Sequence, residues 1–246
     1  LPLLLQGVAG SGKTTILATY AHRHLLRTAN LNSILILAYT EKLKNFILSV
    51  LSILQQIDEV DLSKITVFTW RQLCDEMALR VGMPPFKWVP EGYFMDFLKL
   101  NLKSIIKSDE IPLIAYDIQE YIRGAIKGDS LDTFNIFPNR ETFLNLPYHP
   151  LDDKIKREEL YDVLQKYQYS LDINGYIDDS DAARRLLLKQ EIHGLFDCLL
   201  VDEVQDYTLS QIAFTSKLCS NFNGLMYVGD MNQVLYPSYF SWNRVR

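Results

Sequence analysis

The chain has 246 residues, 48% of them hydrophobic and 22% charged, and its formal net charge is −5. This is the composition of an ordinary folded globular protein, long enough for one large domain or two small ones. It excludes a globally basic surface, so any nucleic-acid contact needs a local groove, and no apolar run approaches the ~20 residues of a membrane span.

The first predicted strand, Leu3–Gln6, runs into Gly7-Val8-Ala9-Gly10-Ser11-Gly12-Lys13-Thr14, and a predicted helix over 13–28 follows. The loop fits G-x-x-x-x-G-K-[ST] at every fixed position, in the strand–loop–helix context that a phosphate cradle requires. Its glycines let backbone N–H groups close around a triphosphate, and the helix N-terminus adds partial positive charge. Lys13 can reach the β- and γ-phosphates, and the Thr14 hydroxyl can ligate Mg²⁺. Nucleotide binding is therefore assigned to Gly7 through Thr15. The opening apolar stretch is short and enters this loop, so it does not read as a signal peptide. Leu1 is not an initiator methionine, and the chain is expected to be a fragment of a longer protein.

Strands are predicted at 33–38 and Ile65–Thr69, and helices at 41–56 and 70–81. This alternation indicates a parallel α/β sheet. Gly82, Pro84 and Pro85 break it. Helical stretches at 93–106, 111–126 and 151–169 then dominate, and a helix over 179–191 precedes the next strand, 196–201. That strand ends on Asp202-Glu203-Val204-Gln205-Asp206, in the crevice where α/β sheets bind ligands. Asp202 is placed to hold Mg²⁺, and Glu203 to take a proton from the attacking water. A helix over 208–219 and a strand over 224–228 lead to Gly229-Asp230-Met231-Asn232-Gln233, where the Gln233 amide could reach the γ-phosphate or its water. Lys13 and Asp202 are far apart in the chain yet should meet at one pocket. The economical arrangement is one α/β core in two parts, 1–84 and 171–246, with a mostly helical insertion over 85–170.

Cys74, Cys198 and Cys219 lack metal-type spacing and read as reduced core thiols of an intracellular protein. The four histidines form no ligand set, and His22 and His24 are expected on a helix surface.

Several segments resemble superfamily 1 helicases of the UvrD/Rep type. The phosphate loop, continued by Thr15, looks like motif I. Ala38-Tyr39-Thr40-Glu41-Lys42 resembles motif Ia, and Phe68-Thr69-Trp70-Arg71-Gln72-Leu73 the G-T-F-H-S-L segment. Val201-Asp202-Glu203-Val204-Gln205-Asp206 resembles motif II, Val228-Gly229-Asp230-Met231-Asn232-Gln233 with Tyr236 resembles motif III, and Tyr176-Ile177-Asp178-Asp179 echoes a D-F-D-D segment. The glutamine three residues after Asp202 matches the UvrD/Rep branch rather than the Upf-like one. Trp70-Arg71 replaces the usual Phe-His, Val204 replaces Phe, and the stretch from Val234 to Trp242 is longer than usual.

The resemblance implies an α/β, P-loop NTPase domain of RecA-like parallel-sheet type with an inserted, mostly helical subdomain. It implies ATP and Mg²⁺ as cofactors and ATP-driven movement on single-stranded nucleic acid, with DNA and 3′→5′ polarity favoured. The adenine-recognising glutamine motif would precede Leu1. Motifs IV to VI, with the arginines that stabilise the transferring phosphoryl group, belong to a second RecA-like domain outside this chain. Such arginines are worth about 10³–10⁵ in rate, so the fragment alone is expected to hydrolyse ATP weakly or not at all.

Tyr39, Trp70 and Trp242 are candidates for base stacking, Thr40 and Thr69 for hydrogen bonds to phosphate, and Lys42 and Arg71 for phosphate neutralisation. Packing between helices is the competing reading for the aromatic residues. A second functional class is a nucleotide-dependent regulatory or scaffold module that has lost unwinding. Intact Lys13, Asp202, Glu203 and Gln233 favour the motor; the acidic net charge and unusual base-contact residues keep the module open.

Overall fold

The computed structural model describes residues 3–8, 10–28, 33–102, 117–119, 121–128, 137–145 and 157–230. Five parallel strands make the sheet: β1 (Leu3–Gln6), β2 (Ile34–Ala38), β3 (Ile65–Thr69), β4 (Cys198–Val201) and β5 (Leu225–Gly229). Their order is β1-β5-β4-β2-β3. In register, Leu5 pairs with Val228, Val201 with Tyr227 and with Leu37, and Ala38 with Thr69. All five C-terminal ends therefore open on one edge, as expected of this fold class.

β2 and β4 are buried along their whole length because helices cover both sheet faces. The two-residue period of a strand divides their side chains. Ile34, Ile36, Ala38 and Leu200 point to α1 (Lys13–Arg27) and α2 (Glu41–Gln55), against Leu17, Ala21, Ile47 and Leu51. Leu35, Leu37, Leu199 and Val201 point the other way, toward α3 (Trp70–Arg80) and the later helices of the core, against Leu73, Met77, Leu186 and Phe214.

Between β3 and β4 the described residues form α4 (Tyr93–Leu102), a π-helix (Ile122–Lys127), α5 (Arg140–Leu144), α6 (Arg157–Asn174) and α7 (Asp179–Leu187). α8 (Leu209–Leu218) joins β4 to β5. Leu98, Ile122, Phe143, Leu160, Leu164 and Leu171 gather in an apolar cluster of their own, separate from the two sheet layers. α6 runs to Asn174, past the boundary at 170 drawn from the sequence. The expected helix over 111–126 is described as helical at 117–119 and then as the π-helix; its start, and 103–106 and 151–156, lie outside the described residues. The expected helix over 179–191 ends at Leu187, and a 3₁₀ turn at Gln190–Ile192 follows.

The π-helix docks on the segment just past the carboxylate turn. Arg123 Nη2 donates to the Asp206 carbonyl at 2.9 Å, and Ser210 N donates to the Gly128 carbonyl at 2.8 Å. Lys127, 1% exposed, reaches Asp178, Asp181 Oδ2 at 3.0 Å and Gln168 Oε1 at 2.9 Å. Asp178 caps α7 by accepting from Asp181 N at 2.9 Å.

One histidine expectation is corrected. His22 is 1% exposed, on the face of α1 that meets the sheet, whereas His24 stacks on Tyr20 with centroids 5.4 Å apart. Among the described residues the three cysteines are free thiols, with Cys74 and Cys198 buried, and no helix is long and apolar enough to cross a membrane.

Candidate nucleotide site and adjoining groove

The loop after β1 turns sharply at Gly12, whose φ of 78° lies in the left-handed region that a side chain at this position would strain. That turn aims the N-terminus of α1 into the loop. Lys13 is 8% exposed, and its Nζ donates to the Gly7 and Val8 carbonyls at 2.8 and 3.0 Å. The ammonium thus sits at the mouth of the cradle, where phosphate oxygens can replace those carbonyls.

Thr14 Oγ1 donates to Asp202 Oδ2 at 2.8 Å, across 188 positions of sequence. The chain therefore brings the loop of β1 and the end of β4 together, although β5 lies between them in the sheet. Asp202 is fully buried. Burial pushes its carboxyl up to about 6, against the Thr14 hydrogen bond and with the Glu203 charge adding to the rise. A hydroxyl and a carboxylate oxygen side by side are hard donors of the kind Mg²⁺ takes.

Glu203 has φ 49° and ψ 47°, the only left-handed non-glycine residue among those described. Such backbone costs about 1–3 kcal/mol and persists where its surroundings over-determine it. Here Gln205 Nε2 donates to Glu203 Oε2 at 2.7 Å, and Gln205 Oε1 accepts from Asp230 N at 3.1 Å. Gln205 thus ties the Glu203 carboxylate to the segment leaving β5. A Cβ on Gly229 would meet Gln205 Oε1 at 2.4 Å, so that close approach needs a glycine. Nothing in the sequence reading gave Gln205 this role. Gln233, Ala9 and Trp242 lie outside the described residues.

Beyond β2 and β3, on the same edge, a groove of about 750 Å³ runs past Tyr39, Thr69, Arg71, Arg123 and Tyr207. Tyr39 is half-buried, its ring edge-on to Tyr207 at 5.7 Å. Thr69 N donates to Gln72 Oε1, which also accepts from Lys44 Nζ, while Gln72 Nε2 donates to Glu41; this network fixes one rim. Thr40 and Lys42 are exposed but do not line the groove, and Thr40 caps α2 by accepting from Leu43 N at 3.2 Å.

One expectation is corrected here. Trp70 is 6% exposed and packs edge-to-face on Tyr207 and Phe214, so its ring is core and cannot stack on a base. At the first position of α3 its side chain falls on the sheet-facing side of that helix. Arg71, at the groove rim, pairs with Asp179 at 3.4 Å and lies 5.0 Å over the Trp88 ring. Sequence reasoning missed Tyr207 and Arg123. Tyr207 directly follows the acidic turn, which was a usable signal, but Arg123 belongs to the helical insertion and carried none. Among the described residues, the buried Trp70 indole N–H and Tyr207 hydroxyl have no hydrogen-bond partner.

The profile of the family described as UvrD/REP helicase N-terminal domain matches residues 1–239. The chain is 26% identical over 242 residues to a Mycoplasma pneumoniae protein named a probable DNA helicase, covering 93% of this chain and 43% of that protein. It is also 26% identical over 246 residues to a probable DNA helicase II homolog of the same organism, covering 93% of this chain and 32% of that protein. The chain thus spans less than half the length of these relatives.

Proposed function

Because the chain belongs to the UvrD/REP helicase N-terminal domain family, we propose that it is the ATP-binding motor domain of a helicase or translocase that moves on single-stranded nucleic acid, with DNA favoured over RNA. The observation that carries this reading is the Thr14–Asp202 contact, which assembles the phosphate loop and the carboxylate turn at one point. Bound Mg²⁺–ATP would supply the phosphoryl group and the charge that Lys13, Thr14 and Asp202 are arranged to hold. Glu203 takes the proton of the attacking water, and Gln205 orients it. Residues 85–170 are read as the inserted helical subdomain, and Gln233 as a further γ-phosphate contact. The second RecA-like domain, 3′→5′ polarity and weak activity of the isolated fragment remain part of the proposal.

The groove lies beside this site on the same sheet edge, so closure around nucleotide would move the residues that grip a strand. Tyr39 supplies the stacking face, Thr69 a phosphate contact, and Thr40 and Lys42 outlying contacts at the exposed start of α2. Tyr39→Ala is expected to weaken single-strand binding by about 1–3 kcal/mol, equally for all sequences. Steady-state ATPase and strand affinity of the full-length protein, with single-stranded DNA and RNA, test this directly. The alternative, a nucleotide-dependent regulatory or scaffold module, draws support from the Glu41 and Asp179 carboxylates in the groove wall. Strand-independent ATPase together with an unaffected Tyr39→Ala variant would favour it.

A further inference from the structure

Arg71 reaches the groove already engaged by a carboxylate. Asp179 Oδ1 lies 3.4 Å from its Nε, and the two side chains are 33% and 46% exposed, respectively. A second cavity, of about 580 Å³, opens between the helical insertion and the core. It shares Arg71, Gln119, Arg123 and Asp179 with the groove, so the two spaces meet at a wall of two guanidinium groups and one carboxylate. Burial holds the Asp179 carboxyl above its ordinary range, and the charges of Arg71 and Arg123 act against that rise.

The two partners of the ion pair differ in freedom. Asp179 is the first residue of α7, and the cap before it, Asp178, is held by buried Lys127. Arg71 is a long side chain at the start of α3. A half-exposed ion pair of this kind is weak, and a guanidinium binds a phosphate at two points. A phosphate arriving at the wall can therefore draw Arg71 away, while Asp179 stays in place.

We propose that this shared wall is a phosphodiester subsite that carries the strand from the groove toward the helical insertion, and that Asp179 holds the place of the phosphate until the strand arrives. The inference rests on the groove reading above and adds a contact that the strand must win from an internal anion. Binding there exchanges one anion for another, so Arg71 adds little to the salt dependence of the unmodified protein. Removing the carboxylate should expose that hidden contribution.

The test is equilibrium binding of a fluorescein-labelled single-stranded DNA oligonucleotide to the full-length protein between about 50 and 200 mM salt. Asp179→Asn and Asp179→Ser are each expected to bind about three- to ten-fold more tightly at the low-salt end, with a log–log salt slope steeper by about 0.7, one single-strand phosphate. Adding Arg71→Gln should abolish both gains. Urea midpoints of each variant identify any that folds poorly, and the serine variant, which keeps a polar residue at the helix start, then decides. Parental affinity and slope in the Asp179 variants overturn the proposal if Tyr39→Ala still weakens binding. A gain that survives Arg71→Gln overturns it too, since the effect would then be diffuse charge. If Tyr39→Ala is also silent, it is the groove reading itself that fails.

Discussion

Glu203→Gln is expected to keep nucleotide binding in the full-length protein and to slow hydrolysis by about 10²–10⁴-fold, the usual contribution of a positioned general base. The substitution leaves the Thr14–Asp202 contact untouched, and that contact, with Lys13, forms the proposed triphosphate cradle. The amide oxygen of the new residue can still accept from Gln205 Nε2, as Glu203 Oε2 does at 2.7 Å, so the side chain should stay where it is. What it loses is the ability to take a proton. The left-handed backbone at Glu203 suits this division of labour, because a sharp turn there separates two adjacent carboxylates. Asp202 faces inward to Thr14, and Glu203 faces Gln205. Single-turnover hydrolysis with a nucleotide-binding titration checks the outcome. Turnover at the parental rate would remove Glu203 from the role of base, and lost nucleotide binding would mean that it holds the metal instead.

The parts of the site that follow from local rules were legible in the sequence. A strand, a glycine loop and a helix start determine where Lys13 and Thr14 sit, and an apolar run ending on Asp-Glu determines where Asp202 sits. Even their meeting could be anticipated, because parallel strands end on a common edge. The groove was less legible because its walls come from separate elements. Trp70 and Arg71 are adjacent, but α3 turns successive side chains roughly 100° apart, so one enters the core while the other reaches the rim. Arg71 looked like an available cation because its partner, Asp179, is 108 positions away. In the sequence Gln205 is one letter of a motif, yet its two hydrogen bonds tie the turn after β4 to the segment leaving β5. The burial of His22 is not legible, because a single polar residue on an amphipathic helix gives no sign of which side of the face boundary it occupies.

Lys127→Met should destabilise the protein by about 3–5 kcal/mol at neutral pH, the typical cost of stripping one partner from a buried ion pair. Lys127 is 1% exposed and serves two carboxylates, Asp178 and Asp181, with Gln168 and the Tyr167 ring completing its surroundings. Burial works against the Asp178 carboxylate, but the Lys127 charge and hydrogen bond outweigh it and hold that group below its ordinary range. Burial keeps Asp181 above its ordinary range, and the Asp178 charge adds to the rise. Without the lysine, the cation left beside the pair among the described residues is Arg184, 3.3 Å from Asp181 Oδ1. Both carboxyls should then be raised in the folded state relative to the unfolded chain. Between those two values the folded variant binds more protons than the unfolded one, so its stability falls as pH rises through that window. The deficit relative to the parent should therefore be large at pH about 7.5 and shrink toward pH about 4, near the ordinary carboxylate values. Urea unfolding of both proteins at the two pH values measures it. A deficit that does not change with pH would mean that the lysine contributes packing volume alone, and that the insertion is held on α7 by its apolar contacts rather than by this buried charge.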